Sequence, residues 1–389
     1  MINSKLPNIE TSIFSVMSKM ATEHNAINLS QGFPNFPSDP TLNALVDQAM
    51  RDGFNQYAPM QGDFELRMEI SKKIENLHNH FYNPETEITI TAGATQAIFT
   101  IIAATISKGD EVIIFTPAYD CYTPTVELFG GKVVPIQLKP PFYTVDWKEV
   151  ADKISCHPAG TASKTKMIII NSPHNPSGML FSEDDMLELQ RLTEKNDLLV
   201  LSDEVYEHII FDGNVHQSAS KFEALAARSF ITASFGKTFH NTGWKMGYCA
   251  APKKLMKEFQ KVHQFIVFCV NHPFQKAFAT YLKDANHYLK LSDFYQQKRD
   301  FFLHLMEGSN FKIIPSKGTY FQMLDFSEIS NESDIAFAER LTKDFKIATI
   351  PTSVFNEGGK DFKQIRVCFA KTDETLAEAA IILKKINSQ

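Results

Sequence analysis

The alternation of short apolar runs with helical patterns in the middle of the chain restricts the fold more than any other feature. Five runs are rich in Val and Ile, and each has the length and composition of a strand that is buried on both faces. Because helical patterns lie between several of these runs, their order is typical of an α/β fold with a mostly parallel central sheet. The predicted strands are Glu111–Phe115, Lys166–Ile170, Leu198–Leu201, Ser229–Ala233 and Met246–Ala250.

Two of the intervening helices have recognisable starts. Glu183–Lys195 carries apolar residues at every third position. Ser182 precedes this helix, and together with Asp185 it resembles a capping box, in which each residue satisfies the backbone N–H of the other. The second predicted helix, Ala94–Ile106, follows a run of small residues that leaves backbone N–H groups free at its start.

The last third of the chain has a different pattern. Strands and helices here suggest a separate α+β lobe rather than a continuation of the parallel sheet. We therefore expect a large domain at residues 40–280 and a smaller α+β domain made of residues 1–39 and 281–389. The predicted strands of this lobe are Gly318–Phe326, Lys346–Ile350 and Gln364–Ala370, and its predicted helices are Ser333–Phe345 and Glu374–Ile386.

Charge and hydrophobic patterning argue against nucleic acid and membranes as partners. The 389 residues include 39 Lys and Arg against 45 Asp and Glu, a net charge of −6. A mildly acidic chain without a basic run is a poor candidate for binding nucleic acid, so a small-molecule substrate is expected. No apolar run is long enough for a signal peptide or for a span of a bilayer, so we expect no membrane association and a cytoplasmic location.

The cysteines do not form a recognisable framework. They are odd in number and scattered, and no pair has the C-x-x-C spacing of a thiolate metal site or a redox motif. We therefore expect a reduced compartment, no disulfide framework and no metal. The five are Cys121, Cys156, Cys249, Cys269 and Cys368.

A lysine follows one of the apolar strands, in the sequence Ser-Phe-Gly-Lys-Thr that ends at Thr238. A phosphate loop would need a glycine five positions before Gly236, and Ile231 stands there, so a nucleotide site is disfavoured. Two interpretations remain for Lys237: a solvated lysine in a polar turn, or a lysine that holds a cofactor as a Schiff base where open α/β sheets bind ligands. In the second case Ser234 and Lys245 could contact a phosphate.

Other polar residues follow the neighbouring strands. Asp203 ends a buried run, and its carboxylate would be costly there unless it met a cation such as a pyridinium nitrogen. Tyr206 lies three residues further on. Asn175 lies in a turn with two X-Pro bonds. Tyr206 and Asn175 could both bind a phenolic oxygen of the ring that carries this nitrogen. The competing interpretations are a helix N-cap, a core tyrosine and an ordinary turn.

Two further residues suit a ligand that has a flat ring and a carboxylate. Tyr119 follows another strand end and could stack on the ring, although a core aromatic is the competing interpretation. Arg366 lies inside an apolar strand, where its charge is expensive unless it is paired. A substrate carboxylate held by two parallel hydrogen bonds would be a suitable partner, and a buried structural ion pair is the alternative.

Together and in this order, these segments resemble the class I/II (fold-type I) aminotransferases that depend on pyridoxal phosphate, over essentially the whole chain. The matching motifs are Asn175-Pro-Ser-Gly178, Asp203-Glu-Val-Tyr206, Ser234-Phe-Gly-Lys237 and Arg366. The resemblance implies a fold with a mostly parallel sheet in a large domain and a smaller α+β domain. It also implies a homodimer with shared active sites, in which Tyr57 reaches the phosphate from the neighbouring subunit.

The resemblance also implies roles for the site residues. Lys237 would bind the cofactor and shuttle a proton, Asp203 would hold the ring nitrogen, and Tyr206 would bind the ring oxygen, so these three are the expected catalytic residues. The expected cofactor-binding residues are Gly93, Ala94, Thr95, Tyr119, Asn175, Asp203, Tyr206, Ser234, Lys237, Lys245 and Tyr57. The expected substrate-binding residues are Gly32, Arg366, Asn175, Phe33 and Phe268.

One position narrows the resemblance further. Many family members have an arginine eight residues after the cofactor lysine, and this chain has Lys245. Lysine there, within Gly-Trp-Lys-Met-Gly-Tyr, is similar to the kynurenine and methionine aminotransferase branch, and especially to bacterial methionine aminotransferases. The motif from Gln31 to Pro37 and the sequence Val262-His263-Gln264 resemble that branch as well.

The expected reaction is ping-pong transfer of an amino group from methionine or an aromatic amino acid to a 2-oxo acid. No second arginine is placed to take a side-chain carboxylate, and Phe33, Tyr119 and Phe268 could line an apolar pocket. A carbon–sulfur β-lyase that uses the same cofactor is the mechanistic alternative. A regulatory cofactor-binding domain fused to a DNA reader is disfavoured, because the chain has no room for a helix-turn-helix and no basic patch.

Overall fold

The computed structural model describes residues 3–155 and 164–386, and twelve strands lie within them. In chain order they are β1 (Ile27–Asn28), β2 (Ile88–Thr91), β3 (Glu111–Thr116), β4 (Lys132–Gln137), β5 (Thr165–Asn171), β6 (Leu199–Asp203), β7 (Ser229–Ser234), β8 (Gly247–Ala250), β9 (Phe321–Asp325), β10 (Ile347–Ala348), β11 (Ile350–Pro351) and β12 (Gln364–Cys368).

Seven of these strands form the central sheet, in the order β2-β8-β7-β6-β5-β3-β4. Strand β8 is antiparallel to both of its neighbours, and β7, β6, β5, β3 and β4 pair in parallel. The inner strands are buried on both faces, which explains their continuous apolar runs. The predicted α/β fold with a mostly parallel sheet is confirmed, and each of the five strands predicted for this region is present within one or two residues of its expected bounds.

Two strands of the sheet were not predicted from the sequence. β2 has only four residues, and its Ile-Thr alternation resembles a half-buried strand although all four residues are buried. β4 lies at the edge of the sheet, contains Pro135 and starts at the exposed Lys132. A proline is tolerated in an edge strand, because one side of that strand needs no partner for its N–H groups.

Fifteen α-helices are present in the described residues, and those between the strands cover the two faces of the sheet. They are α1 (Ile13–Glu23), α2 (Pro40–Arg51), α3 (Phe64–His78), α4 (Gly93–Thr105), α5 (Tyr122–Leu128), α6 (Trp147–Ser155), α7 (Glu183–Lys195), α8 (Glu223–Ala226), α9 (Phe235–Thr238), α10 (Lys253–Ile266), α11 (His272–Tyr281), α12 (Asn286–Leu289), α13 (Leu291–Met306), α14 (Asp334–Asp344) and α15 (Asp373–Leu383).

The predicted helix starts are confirmed. α7 has the predicted bounds, and both halves of its capping box are present: the Asp185 N–H donates to the Ser182 hydroxyl, and the Ser182 N–H donates to the Asp185 carboxylate. Met186, Leu189 and Leu192 are the buried face of this helix. α4 begins at Gly93 rather than Ala94, and no side chain caps it.

The C-terminal lobe contains a three-stranded antiparallel sheet in the order β11-β12-β9. The predicted strand Lys346–Ile350 is in fact two short strands, because β10 pairs in parallel with β1 whereas β11 pairs with β12. The N-terminal segment therefore joins the C-terminal lobe through β1. The predicted strand Gly318–Phe326 is shorter than expected and is limited to β9. The division at residues 40 and 280 remains a prediction.

Three expected absences concern the described residues. Four cysteines, Cys121, Cys249, Cys269 and Cys368, are free thiols, and Cys156 lies outside the described residues. Residues 3–155 and 164–386 contain no cluster of His, Cys, Asp or Glu side chains that could hold a metal ion. In the same ranges no helix is long and apolar enough to cross a bilayer.

Candidate active site

A cavity of about 220 Å³ lies at the carboxyl edge of the central sheet. Asn171, Asp203 and Ser234 are the last residues of β5, β6 and β7, and parallel strands bring such positions together at one edge. The cavity is lined by Phe14, Gln31, Gly32, Gly93, Ala94, Thr95, Ile98, Tyr119, Asn171, Asn175, Asp203, Val205, Tyr206, Ser234, Gly236, Lys237, Thr242, Lys245, Met246, Phe321 and Arg366.

Lys237 lies in the single turn α9 that follows β7, and its amine faces the cavity. Its Nζ donates to the carbonyl oxygen of Gly32 at 2.9 Å. The rings of Tyr206 and Tyr320 lie 5.8 and 5.7 Å from this nitrogen. Burial lowers the pKa of Lys237 to about 8, and the positive charges of Arg366 and Lys245 act in the same direction. A neutral amine, which is a nucleophile and a base, is therefore accessible near physiological pH.

Asp203 also lines the cavity and is buried at the end of β6. The Tyr122 hydroxyl donates to Asp203 Oδ2 at 2.5 Å, and the Val205 N–H donates to Oδ1 at 3.3 Å. Asn171 Nδ2 donates to the backbone oxygen of Asp203 at 2.9 Å, which joins the ends of β5 and β6. Burial raises the pKa of Asp203 to about 6, and the hydrogen bond from Tyr122 opposes this rise. The site thus contains a carboxylate that a cation would stabilise strongly.

A second end of the cavity is suited to an anion. α4 starts at Gly93 with a positive φ of 76°, without a side-chain cap and without an acidic residue in its first turn. Lys245 Nζ lies 3.6 Å from the point that a Cβ on Gly93 would occupy, which places the amine beside the start of α4. Free N–H groups at a helix start next to a cation form an anion-binding site. Ala94, Thr95 and Ser234 line the same cavity.

Arg366 is fully buried in the middle of β12 and borders the cavity. Its Nη1 donates to Asn175 Oδ1 at 2.8 Å, and its Nη2 donates to the backbone oxygen of Ser30 at 3.0 Å. The guanidinium lies 3.9 Å from the ring centre of Phe321. Burial lowers the pKa of Arg366 to about 10. Its buried Nε has no partner among the described residues, and no carboxylate pairs with the guanidinium there, so the expected alternative of a structural ion pair is not found.

The cavity brings together twelve of the fifteen residues predicted for the site. The three exceptions are Phe33, Tyr57 and Phe268, which do not line it within one chain. Tyr57 and Phe268 are 82% and 46% exposed, and their rings pack against each other with centres 5.5 Å apart. Phe33 is 43% exposed, and its backbone oxygen accepts from Lys371.

Several residues of the site were missed from the sequence. Tyr122 directly contacts Asp203. Its position three residues after the predicted site residue Tyr119 was the feature of the sequence that could have indicated it. Tyr320 donates to the Gly32 carbonyl at 2.6 Å, and Phe14 reaches the cavity from α1. Phe14 and Tyr320 come from the N-terminal segment and the C-terminal lobe, so only the tertiary fold brings them to the sheet.

Comparisons with known proteins agree with this geometry. A family model of the class I and II aminotransferases matches residues 24–383. The methionine aminotransferase of Escherichia coli K12 is 43% identical over 384 residues, covering 98% of each chain. Bovine kynurenine–oxoglutarate transaminase 3 is 32% identical, covering 99% of this chain and 90% of the relative.

Solved structures give the same result. A crystal structure of an E. coli protein with a methionine aminotransferase function matches with a TM-score of 0.94 at 43% identity, covering 99% of both chains. N-Succinyldiaminopimelate aminotransferase from Mycobacterium tuberculosis matches with a TM-score of 0.93 at 32% identity, covering 99% of this chain and 100% of that one.

The chain therefore belongs to the class I and II aminotransferases and has the fold-type I architecture. It is an enzyme that depends on pyridoxal phosphate and transfers amino groups between amino acids and 2-oxo acids. The donors and acceptors of the cavity fit this cofactor, since a buried amine, a buried carboxylate and an uncapped helix start next to a lysine match its aldehyde, ring nitrogen and phosphate.

Proposed function

We propose that the predicted site residues act in this enzyme as their positions around one cavity suggest. Lys237 would bind the cofactor covalently, and Asp203 would hold its ring nitrogen in the protonated form. Gly93, Ala94, Thr95, Ser234 and Lys245 would bind its phosphate, Tyr206 and Asn175 its ring oxygen, and Tyr119 would stack on the ring. The observation that carries the proposal is the meeting of the Lys237 amine, the Asp203 carboxylate and the start of α4 at one edge of the sheet.

The chain's own residues then divide the work of transamination. The bound cofactor supplies an electron sink that stabilises negative charge at the substrate Cα. Lys237 Nζ would take the proton from the substrate Cα and return it at the cofactor C4′, and its lowered pKa makes the neutral amine available near neutral pH. Asp203 maintains the positive charge at the ring nitrogen. Arg366 binds the α-carboxylate, and Gly32 covers the substrate.

We further propose that the preferred donor has an apolar or aromatic side chain, as in methionine, phenylalanine or kynurenine. Within the described residues the cations that line the cavity are Lys237, Lys245 and Arg366, and each already has a proposed role. No cation is left to pair with a side-chain carboxylate. Phe14, Ile98 and Tyr119 supply apolar surface instead. The names of the methionine and kynurenine relatives support the same choice.

A donor screen tests this preference. Purified enzyme is incubated with a 2-oxo acid and with methionine, phenylalanine, kynurenine, aspartate or glutamate, and kcat/KM is measured for each donor. We expect methionine or an aromatic donor to exceed aspartate by about tenfold or more, because an unpaired buried carboxylate is strongly rejected. Preference for aspartate would contradict the proposal. Pyruvate and ammonia from cystathionine, without a new amino acid product from methionine, would favour the β-lyase alternative.

We propose that the enzyme is a homodimer with shared active sites. Tyr57 and Phe268 are 82% and 46% exposed and pack against each other, and Phe265, three residues before Phe268, is 85% exposed. Such apolar surface is expensive in water unless another molecule covers it. Tyr57 would then reach the phosphate of the neighbouring subunit, and Phe268 and Phe33 would contribute to the substrate pocket.

Mixed dimers test the sharing directly. Lys237→Ala and Tyr57→Ala chains are each purified and then mixed under conditions that exchange subunits. If Tyr57 acts in the neighbouring subunit, each mixed dimer has one site with both residues intact, and activity exceeds that of either variant alone. If activity only equals the average of the two variants, the sites are not shared. Phe142→Ala, at another exposed aromatic, is the control.

The remaining proposals concern organisation. We propose a large domain at residues 40–280 and a small domain at 1–39 and 281–389, which the pairing of β1 with β10 supports. We also propose a cytoplasmic location, for which the free thiols of the described cysteines and the small-molecule substrates are the support. Limited proteolysis and cell fractionation would test these two points.

A further inference from the structure

A tyrosine that the proposed mechanism leaves unused makes the shortest hydrogen bond to the Asp203 carboxylate. Tyr122 begins α5 and is buried against the same apolar cluster as Ile98. Its hydroxyl donates to Asp203 Oδ2 at 2.5 Å, the distance of a charge-assisted O–H···O bond. The other hydrogen bond to this carboxylate within the described residues, from the Val205 N–H, is longer at 3.3 Å.

The direction of the Tyr122 hydrogen bond is set by the two groups. Burial and the neighbouring Asp203 charge raise the pKa of Tyr122 far above its usual value, so the tyrosine keeps its proton and can donate. An ionised Asp203 can only accept. The bond therefore favours the carboxylate form of Asp203, whereas burial and the charge of Glu204 favour the neutral acid.

The position of the bond also restricts the carboxylate. The Oδ2 and Oδ1 atoms each accept one hydrogen bond, and the backbone of Asp203 is held by Asn171 Nδ2 and the Ser172 N–H. The Tyr122 ring packs edge-on against Tyr119, with centres 5.8 Å apart. One side chain thus touches both the proposed partner of the ring nitrogen and the aromatic proposed to stack on the ring.

We propose that Tyr122 is a positioning residue that keeps Asp203 ionised and oriented toward the ring nitrogen of the cofactor. The inference rests on the role of Asp203 proposed above. Tyr122 itself does not line the cavity, and its hydroxyl acts through Asp203. Its loss would leave Asp203 buried with one long hydrogen bond, and the carboxyl group would take up a proton more easily.

The test compares Tyr122→Phe with a matched control, Tyr82→Phe. Tyr82 is also a buried tyrosine of the described residues, but its hydroxyl has no hydrogen-bond partner there. Each cofactor-free protein is titrated with pyridoxal phosphate and with its 1-deaza analogue, in which a C–H group replaces the ring nitrogen. Dissociation constants are read from absorbance and from thermal stabilisation, so turnover is not needed.

For Tyr122→Phe we expect the dissociation constant of pyridoxal phosphate to rise about tenfold or more, and that of the deaza analogue to stay unchanged. The pH below which pyridoxal phosphate is released should move up by about one unit. kcat should fall about 10- to 100-fold with a smaller change in KM, because Asp203 is proposed to act on the cofactor ring rather than on substrate binding. Tyr82→Phe should leave all five quantities unchanged.

Equal weakening of both cofactors by Tyr122→Phe would overturn the inference, because a general structural defect does not depend on the ring nitrogen. Normal pyridoxal phosphate binding in Tyr122→Phe would also overturn it. If Tyr122→Phe does not fold, 3-fluorotyrosine at position 122 provides the second variant. As a stronger donor it should move the release of pyridoxal phosphate to lower pH, and an unchanged or higher release pH would refute the inference.

Asp203→Asn separates this inference from the proposal beneath it. If Asp203→Asn loses activity, and adding Tyr122→Phe causes no further loss, then the two residues act as one unit, as proposed. If Asp203→Asn keeps near-normal activity, the assignment of Asp203 itself fails. If Asp203→Asn is inactive but Tyr122→Phe behaves like the unchanged enzyme, only the inference about Tyr122 fails.

Discussion

Replacing Arg366 by lysine keeps the positive charge but removes the planar fork of donors. In the structure two nitrogens of this guanidinium donate to Asn175 Oδ1 at 2.8 Å and to the Ser30 carbonyl at 3.0 Å, and Nε has no partner within residues 3–155 and 164–386. A lysine carries all three of its N–H donors on one nitrogen. If that nitrogen bound the same acceptors, it could not also hold a carboxylate by two parallel hydrogen bonds. The expected consequence is a poorly held substrate.

The size of the loss follows from the hydrogen bonds involved. A hydrogen bond to a charged group is worth about 1.5–3 kcal/mol. Losing one such bond to the substrate carboxylate in Arg366→Lys should therefore lower kcat/KM about 10- to 150-fold. Arg366→Ala, which also loses the charge, should lower it further.

The assay compares methionine with 3-(methylthio)propylamine, which has the same side chain but no carboxylate. Arg366→Lys should lower kcat/KM for methionine and leave the slow reaction of the amine almost unchanged. Arg299→Lys is the control, because Arg299 is also buried but pairs with Asp212 at 2.6 Å outside the cavity. Equal losses for both substrates, or no loss for methionine, would refute the carboxylate-binding role of Arg366.

Three further predictions concern the protein without substrate. Lys237→Met should stabilise the cofactor-free protein by about 3 kcal/mol below pH 8, because burial lowers the pKa of Lys237 to about 8 and makes the protonated amine costly in the folded state. Unfolding takes up a proton between pH 8 and about 10.5, so the gain should disappear over that window as the pH rises. Ser182→Ala should cost about 1 kcal/mol in urea unfolding through loss of the capping box. Gly247→Ala should lower the free energy of unfolding by about 1–3 kcal/mol, because the new Cβ would overlap the Ala233 carbonyl oxygen. An unchanged urea midpoint in Ser182→Ala or in Gly247→Ala would contradict the corresponding prediction.

The parts of the fold that the sequence predicted well are those with local signals. The inner strands β5, β6 and β7 are buried on both faces, so their apolar runs stand out and the polar residues that end them mark the ligand edge. The capping box of α7 is local as well. The missed strand β4 lies at an edge with a proline and partly exposed residues, where composition does not distinguish a strand from a loop.

The site was predictable where a motif carries it and not where tertiary contacts do. Lys237, Asp203 and Asn175 each lie at or just after the end of a strand, and all three line the same cavity. Phe14 and Tyr320 reach the site from distant segments of the chain, and nothing in their local sequence marks them. Tyr57 and Phe268 do not line the cavity of their own chain, so the proposed sharing of sites with a second chain stays a prediction.

The central claim is that Lys237 holds pyridoxal phosphate covalently and moves the proton, and a borohydride experiment on Lys237→Ala tests it most directly. The unchanged enzyme should show a visible absorbance band that borohydride abolishes, with the reduced cofactor attached to the peptide that contains Lys237. Lys237→Ala should lack the covalent link and almost all turnover, whereas Lys221→Ala, at an exposed lysine, should behave normally. Near-normal turnover in Lys237→Ala, or the cofactor attached to another residue of the unchanged enzyme, would contradict the claim.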